Sequence, residues 1–512
     1  MSSSMRKIQV LILLAAVMGT AWMTTWVDDG MVPGWTHGVV RNWEQFGFFN
    51  LHGKMVSNPG GFQVETHPVY YAGHRPASLY PVFICHRLLG ATGLGFLAYY
   101  AIMAAVVMLS IWQLLGRTER AFWLAITVVL APGYVRWQTT LDPNLTAVLL
   151  GFPFCVGMLG LLRRPTLGWF HWGALFLLIL VYSSVNWTTI FVHAMLFVTL
   201  LVLPRVSWRH LLIYAGLTAA AAGGVLLASL SSKMAMANGS SAGLASVVQG
   251  YGWGNAGYGL DMSTKTACLR LLAANGIGLL PVLVYLGWQW WRRGGRQSAG
   301  PLIFLLPALV PVVEVLGMRN YFGCHPWMSV HFILLGIILS ATVWKERAGA
   351  AVDGETRPRL AFCLGFLAVT FAYGLTVLAA GHAHNERELK LAALIREHTA
   401  RDTTIVIRRD TDPDLAGLES RLPELFDRHL VVVSDTGEAS LADVPAKRVI
   451  LTAVAPPSEK TMAQTGGADD ETRVFKKLLG WYARHIAHRR AGDKLELGEK
   501  YFLYQPPGWA SP

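Results

Sequence analysis

Over roughly the first three quarters of the chain, hydrophobic positions form long unbroken runs instead of alternating with polar ones. A bilayer core takes about 20 apolar residues per helical span. On that measure the runs predict about eleven transmembrane helices, over about 8–26, 93–115, 121–133, 144–162, 170–185, 187–203, 211–230, 269–291, 300–317, 327–344 and 360–380. The fifth and sixth are separated only by a tight turn near Asn186. After Gly381 the pattern changes. Glu386–Thr399 reads as an amphipathic helix, Thr403–Ile407, Leu430–Ser434 and Arg448–Ala453 as short strands, and Glu471–His488 as a helix. Helices alternating with short apolar strands predict a small α/β domain. The expected organisation is therefore a polytopic α-helical membrane domain over 1–380 and a soluble domain over 381–512.

Charge orients this map. The basic residues cluster between apolar runs: Arg6-Lys7, Arg117/Arg120, Arg163-Arg164, Arg205/Arg209, Arg292-Arg293/Arg296 and Lys345/Arg347/Arg357/Arg359. Alternating the spans from a cytoplasmic N-terminus puts every cluster on the cytoplasmic side, as the Lys/Arg bias of such loops requires. The apolar stretch from Ile8 reaches Trp26 without a small-residue cleavage site, so it reads as a retained first helix. The outer segments are then 27–92, 134–143, 231–268, 318–326 and the tail from 381. Within the first, Val39, Val40, Trp43 and Phe46 recur at helical spacing, which predicts an aromatic helix over Thr36–Phe49 lying flat at the membrane interface. The Gly- and Ser-rich composition of loop 231–268 suits either a flexible lid over a cleft or plain disorder.

Composition agrees with this picture. Charged residues make up 14% of the chain, against about 25% in soluble domains, and mean hydropathy is +0.40. The net charge of +12 does not signal nucleic acid, because its carriers lie between spans. The five cysteines form no CxxC pair; a Cys268–Cys324 disulfide is possible, but sequence does not establish connectivity. No GxGxxG or P-loop pattern occurs. Asn144, Asn186 and Asn238 fit the glycosylation pattern, the first two abutting spans, where chance is the better account.

The candidate chemistry collects at the outer ends. Asp28 and Asp29 follow the first helix directly, and carboxylates at membrane depth are costly and often functional. His67, His74 and Arg75 precede the second span, and Asp142 shares an outer loop with Arg136. Lys265 and Arg270 flank the eighth span, and Arg319 and His325 precede the tenth. Taken singly, each cation suits a headgroup anchor better than a ligand contact. Together with the acidic residues they suit a lipid-linked phosphate. Arg and Lys neutralise phosphate oxygens, helix grooves hold a prenyl tail, and a carboxylate deprotonates an acceptor hydroxyl.

The order of these features resembles a family. A first helix, Asp28-Asp29, a helix containing Arg41-Asn42-Trp43-Glu44-Gln45-Phe46-Gly47, the segment His67-Pro68 through His74-Arg75-Pro76, and Leu88-Leu89-Gly90 follow one another over roughly residues 8–165. This is similar to the N-terminal half of the GT-C glycosyltransferases, particularly the protein mannosyltransferase and aminoarabinose transferase group. The resemblance implies a polyprenyl-phosphate-sugar donor, inverting transfer to a lipid, glycan or protein acceptor, and Asp28 or Asp29 as the acceptor-activating carboxylate. Asp142 would be the second acidic residue, and His74 and Arg75 would contact donor phosphate or acceptor. The chain departs from the aminoarabinose transferases in having Gly30 and Met31 where those carry Arg-Tyr. Members of the superfamily differ in metal use, and the Asp28/Asp29 pair could hold a divalent cation.

The expected protein is a glycosyltransferase of a bacterial inner membrane, its C-terminal domain periplasmic, serving the cell envelope. Two rivals remain. A transporter or flippase of a lipid-linked or small anionic substrate would carry polar residues through the helix midplane. A non-catalytic envelope assembly protein would tolerate loss of all three aspartates.

Overall fold

The computed structural model describes residues 34–61, 63–66, 68, 70, 75–89, 94–130, 143–203, 206–236, 305–309, 312, 327–348, 391–392, 395–408, 427–433, 448–452 and 502–504. The chain divides into two compact units: residues 1–27 with 72–380, and residues 28–71 with 381–512.

In the first unit the described helices follow the apolar runs closely. Helix α2 spans Tyr80–Leu89, α3 Leu94–Leu114, α4 Glu119–Leu130, α5 Pro143–Leu162, α6 Trp169–Val185, α7 Thr189–Val202, α8 Trp208–Met236 and α9 Trp327–Ala348. Two of them, α3 and α5, are by themselves long and apolar enough to cross a bilayer. Two differences from the sequence reading have local causes. Helix α2 lies inside the segment expected to be an outer loop; it has only ten residues and carries Pro81, His86 and Arg87, so it leaves no apolar run of spanning length. Helix α8 continues to Met236, into the expected lid, because no Gly or Pro interrupts it between Gly224 and Asn238-Gly239. The expected spans 8–26, 269–291 and 360–380, most of 300–317 and the remainder of the lid lie outside the described residues.

The helix ends sort into two sets. At one end of the bundle Arg163, closing α5, pairs with Glu346 near the end of α9. Arg164 bonds His171 at the start of α6 at 2.7 Å. His210, starting α8, bonds the Leu162 carbonyl at 3.2 Å and stacks edge-on against Trp172. At the opposite end Tyr99 of α3 bonds Thr146 of α5 at 2.8 Å, and Phe191 of α7 meets Phe332 of α9. Alternating spans require this arrangement. The basic clusters around residues 163–164, 209 and 345–347 thus share one end.

The outward faces of these helices are apolar. Ile102, Leu109, Phe176, Leu177, Val181, Ile190, Leu201, Leu212 and Leu227 are exposed, and Trp169, Phe170 and Trp208 are exposed at the Arg163 end. Water would oppose such a surface, whereas lipid covers it, with aromatic rings at the headgroup level. Close helix approach adds a local demand: a Cβ at Gly95 would stand 2.4 Å from the His86 Cα, so the close packing of α2 against the start of α3 requires glycine there.

In the second unit, β2 (His429–Val433), β1 (Thr404–Arg408), β3 (Arg448–Thr452) and β4 (Phe502–Tyr504) form one sheet in that order. β1 is parallel to both neighbours, and β4 is antiparallel to β3. Leu391, Ala392 and Ile395, in helical conformation, bury against Ile405, Ile407, Val449 and Leu451. The expected helix over Glu471–His488 lies outside the described residues.

Helix α1 (Gly34–Phe46) belongs to this second unit, and here the expectation of a helix lying flat on a membrane is corrected. Val39 and Val40 are fully buried and Trp43 is 1% exposed within the protein itself. The chain after Gly47 folds back over this face. The Trp43 indole donates to the Lys54 carbonyl at 2.6 Å, and Asn42 donates to the carbonyls of Val56 and Asn58. An amphipathic pattern reports that one face is covered, without saying whether lipid or protein covers it.

Candidate functional site

Among the predicted site residues the structure describes Arg75. Asp28, Asp29, His67, His74, Arg136, Asp142, Lys265, Arg270, Arg319 and His325 lie outside the described residues.

Arg75 is extended, as a residue before proline must be, and leads into a 3-10 turn over Pro76–Leu79. Its carbonyl accepts the Ser78 hydroxyl at 2.8 Å. Its guanidinium, half-buried, donates to the Ser183 carbonyl at 2.5 Å, in the last turn of α6. Carbonyls there have no partner within the helix, and a cation near them is favoured by the helix dipole. One role of Arg75 is therefore to cap α6.

The same corner gathers a buried polar set. Asn186 ends α6: its side-chain oxygen accepts the Trp187 N–H at 2.7 Å, and its NH2 donates to the Asn144 side-chain oxygen at 2.8 Å. Thr189, opening α7, donates its hydroxyl to the Asn186 carbonyl at 2.8 Å. Both asparagines are fully buried, which removes them as glycosylation acceptors. The Ser183 hydroxyl bonds His193 Nε2 at 3.0 Å, and His193 Nδ1 bonds the Tyr214 hydroxyl at 3.0 Å. Ser183 thus meets Arg75 through its carbonyl and the buried His193–Tyr214 pair through its hydroxyl.

The electrostatics of this corner favour an anion. Helices α5 and α7 begin here and α6 ends here, so about half a positive charge at each of two N-termini is set against about half a negative charge at one C-terminus, a net excess of positive charge. Arg75 adds a full one. Among the described residues of this unit the acidic side chains are those of Glu119 and Glu346, and these belong to helix ends at the opposite side of the bundle. In sequence, Asn144 is separated from Asp142 only by Pro143.

The second unit holds a polar cluster that sequence reasoning missed. Asp427, with 5% of its side chain exposed, accepts Arg41 Nη1 at 2.7 Å, Arg401 Nε at 2.9 Å and Nη2 at 3.2 Å, and the Gly60 N–H at 3.3 Å. Arg401 also bonds Asn42 at 2.8 Å and Gln45. Arg428 spends its guanidinium on Thr399 and the Asp427 carbonyl. Burial raises the Asp427 pKa, but the charges and hydrogen bonds of Arg401 and then Arg41 outweigh it, leaving the carboxyl below its ordinary value. Burial drives the Arg428 pKa down to about 10. With its oxygens so occupied and its proton affinity lowered, Asp427 is a tie between segments and not a proton acceptor. The run Asp427-Arg428-His429 directly before a strand was the one signal available, and nothing local names its partners.

Among the described residues no group of three or more His, Cys, Asp or Glu is arranged to hold a metal ion; the Asp28/Asp29 pair lies outside them.

No family model matches the chain, and no curated protein matches it. Solved structures do. ArnT from Cupriavidus metallidurans, bound to undecaprenyl phosphate, superposes with a TM-score of 0.53 at 12% identity, over 85% of this chain and 87% of that one. This chain has a GT-C fold. AglB from Archaeoglobus fulgidus, an archaeal oligosaccharyltransferase in complex with an inhibitory peptide and a dolichol-phosphate, matches with a TM-score of 0.42 at 13% identity, over 84% of this chain and 65% of that one. The GT-C fold accords with the apolar outward faces and aromatic ends described above: the protein is an integral membrane protein.

Proposed function

We propose that this protein is a membrane glycosyltransferase that transfers a sugar from a polyprenyl phosphate to an acceptor outside the cytoplasm. The observation that carries the reading is the cationic corner of a GT-C fold, where Arg75 and the N-termini of α5 and α7 meet. Its charge suits the phosphate of a lipid-linked donor, and ArnT, with the same fold, was solved with undecaprenyl phosphate.

In the reaction, Asp28 or Asp29 takes the proton of an acceptor hydroxyl as its oxygen attacks the anomeric carbon. The bond from that carbon to the phosphate oxygen breaks with inversion, and the polyprenyl phosphate leaves as an anion. Arg75 bears on that developing charge, with His67, His74, Arg136, Lys265, Arg270, Arg319 and His325 as further candidates from the outer segments and Asp142 as the second acidic residue. Such stabilisation acts where charge builds up in the transition state. If a divalent cation binds, Asp28 and Asp29 would hold it, and it would supply positive charge to the reacting groups. Cytoplasmic placement of the basic helix ends, in a bacterial inner membrane, leaves the Arg75 end and the C-terminal domain periplasmic, where a cell-envelope acceptor would be met.

The test supplies purified protein with radiolabelled polyprenyl-phosphate sugars and membrane extract as acceptor. Transfer should disappear in the Asp28→Asn, Asp29→Asn double variant, and undecaprenyl phosphate should bind more weakly to Arg75→Ala. Transfer that persists in the double variant refutes the assignment of the base. A reporter fused after Gly381 that reads cytoplasmic refutes the orientation.

A further inference from the structure

Asp28 and Asp29 precede α1 by only a few residues, and the segment they open, residues 28–71, forms one compact unit with residues 381–512. That unit is held together at Asp427. One carboxylate takes Arg41 from the middle of α1, Arg401 from the turn before β1, and the N–H of Gly60 from the chain that folds back over α1. Arg401 extends the tie to Asn42 and Gln45 on α1 and to the Gly38 carbonyl. The contacts join residues up to 386 positions apart in sequence. Buried, charge-assisted and multiply bonded, such a tie fixes geometry more than it adds net stability.

We infer that Asp427 is a positioning residue of the transferase: through Arg41 and Arg401 it holds α1, and so the segment that Asp28 and Asp29 open, in the place the reaction needs. The C-terminal unit is then part of the catalytic apparatus and not an appendage. This rests on the function proposed above, with either aspartate as base. Misplacing a catalytic group by about 1 Å can cost a hundredfold in rate without touching substrate binding.

The experiment uses the full-length protein in detergent and compares the wild type with Asp427→Asn and with Arg41→Gln, which removes one of the two guanidinium partners of that carboxylate. Three quantities are read: undecaprenyl phosphate binding stoichiometry, turnover per binding-competent molecule at saturating donor, and amide hydrogen exchange across residues 34–46. Asp427→Asn should keep its lipid binding and donor KM, lose about tenfold to a hundredfold in kcat, and exchange faster in α1. Arg41→Gln should move turnover and α1 exchange in the same direction as Asp427→Asn while keeping lipid binding; wild-type turnover and exchange in Arg41→Gln overturn the role given to that contact. Wild-type kcat in Asp427→Asn overturns the inference, as does a loss of turnover with α1 exchange unchanged. If the Asp28→Asn, Asp29→Asn variant retains transfer, it is the assigned base that fails; exchange in α1 needs no activity and still decides whether Asp427 holds the helix.

Discussion

Replacing Gly60 by alanine should open the second unit locally while leaving the helical bundle intact. Gly60 has φ 64°, a left-handed conformation that costs an L-residue about 1–2 kcal/mol. The added Cβ would also stand 2.6 Å from the Arg401 carbonyl oxygen, 3.1 Å from the Arg428 Cα and 3.1 Å from the His429 nitrogen. All three are backbone atoms, so no side chain can swing aside, and forcing atoms into a filled site costs about 1–3 kcal/mol. Alanine also restricts the unfolded chain, but where the native φ is positive the folded-state penalty exceeds that gain. The sum is about 2–5 kcal/mol. Since about 1.4 kcal/mol is a factor of ten, local opening should become at least about thirtyfold more frequent. Because a two-unit membrane protein does not unfold in one step, the assay is hydrogen exchange by mass spectrometry, read at Asn42–Phe46 and in β2 at Val431–Val433. Peptides from α3 and α5 serve as internal controls. Exchange in α1 and β2 within twofold of wild type would refute the reasoning, because it would mean that the chain at Gly60 does not lie against the start of β2.

Three other outcomes follow from the same geometry. Asn186→Ala removes the 2.8 Å bond to the buried Asn144 side chain and should lower detergent-solubilised stability by about 1–3 kcal/mol; an unchanged thermal midpoint would argue against that pairing. Gly95→Ala, whose Cβ would meet the His86 backbone at 2.4 Å, should destabilise by about 1–3 kcal/mol, whereas Gly173→Ala, with nothing within 4 Å, should be close to neutral; equal midpoints for the two would contradict the close approach of α2 and α3. Acid should loosen the second unit. The Asp427 pKa is lowered in the folded state, so its stabilisation is present above the unfolded carboxylate value and lost as pH falls through the folded one; burial also lowers the His429 pKa, so the unfolded chain binds the extra proton first, below about 6.5. Local opening in β2, read as exchange corrected for the intrinsic amide rate at each pH, should therefore become more frequent from pH 6.5 downward and again below about 4, and an opening frequency that is flat across that range would refute both assignments.

Much of this molecule is written in its local sequence. The apolar runs at 93–115, 144–162 and 170–185 became α3, α5 and α6 within a residue or two at each end, because a lipid-facing or bundle-facing helix needs only length and apolarity. The strand segments at 403–407 and 448–453 were equally legible from short β-branched runs bounded by polar chain. Other features needed information that local pattern does not hold. Helix α2 is too short to register as a span, and the continuation of α8 depends on the absence of a breaker. The apolar face of α1 reads the same whether a membrane or a folded-back chain covers it.

The candidate site divides along the same line. Sequence by itself determined that acidic and basic residues collect between the apolar runs, because charge is excluded from the runs themselves. Only the tertiary structure decided which ends meet. It set Arg75 against the Ser183 carbonyl 108 positions away, Asn186 against Asn144, and Asp427 against Arg41 across 386 positions. The physical reason is that burial imposes a periodicity each segment carries alone, whereas a hydrogen bond or ion pair is specified by two segments at once, and its partner exists only after the chain has closed the loop between them.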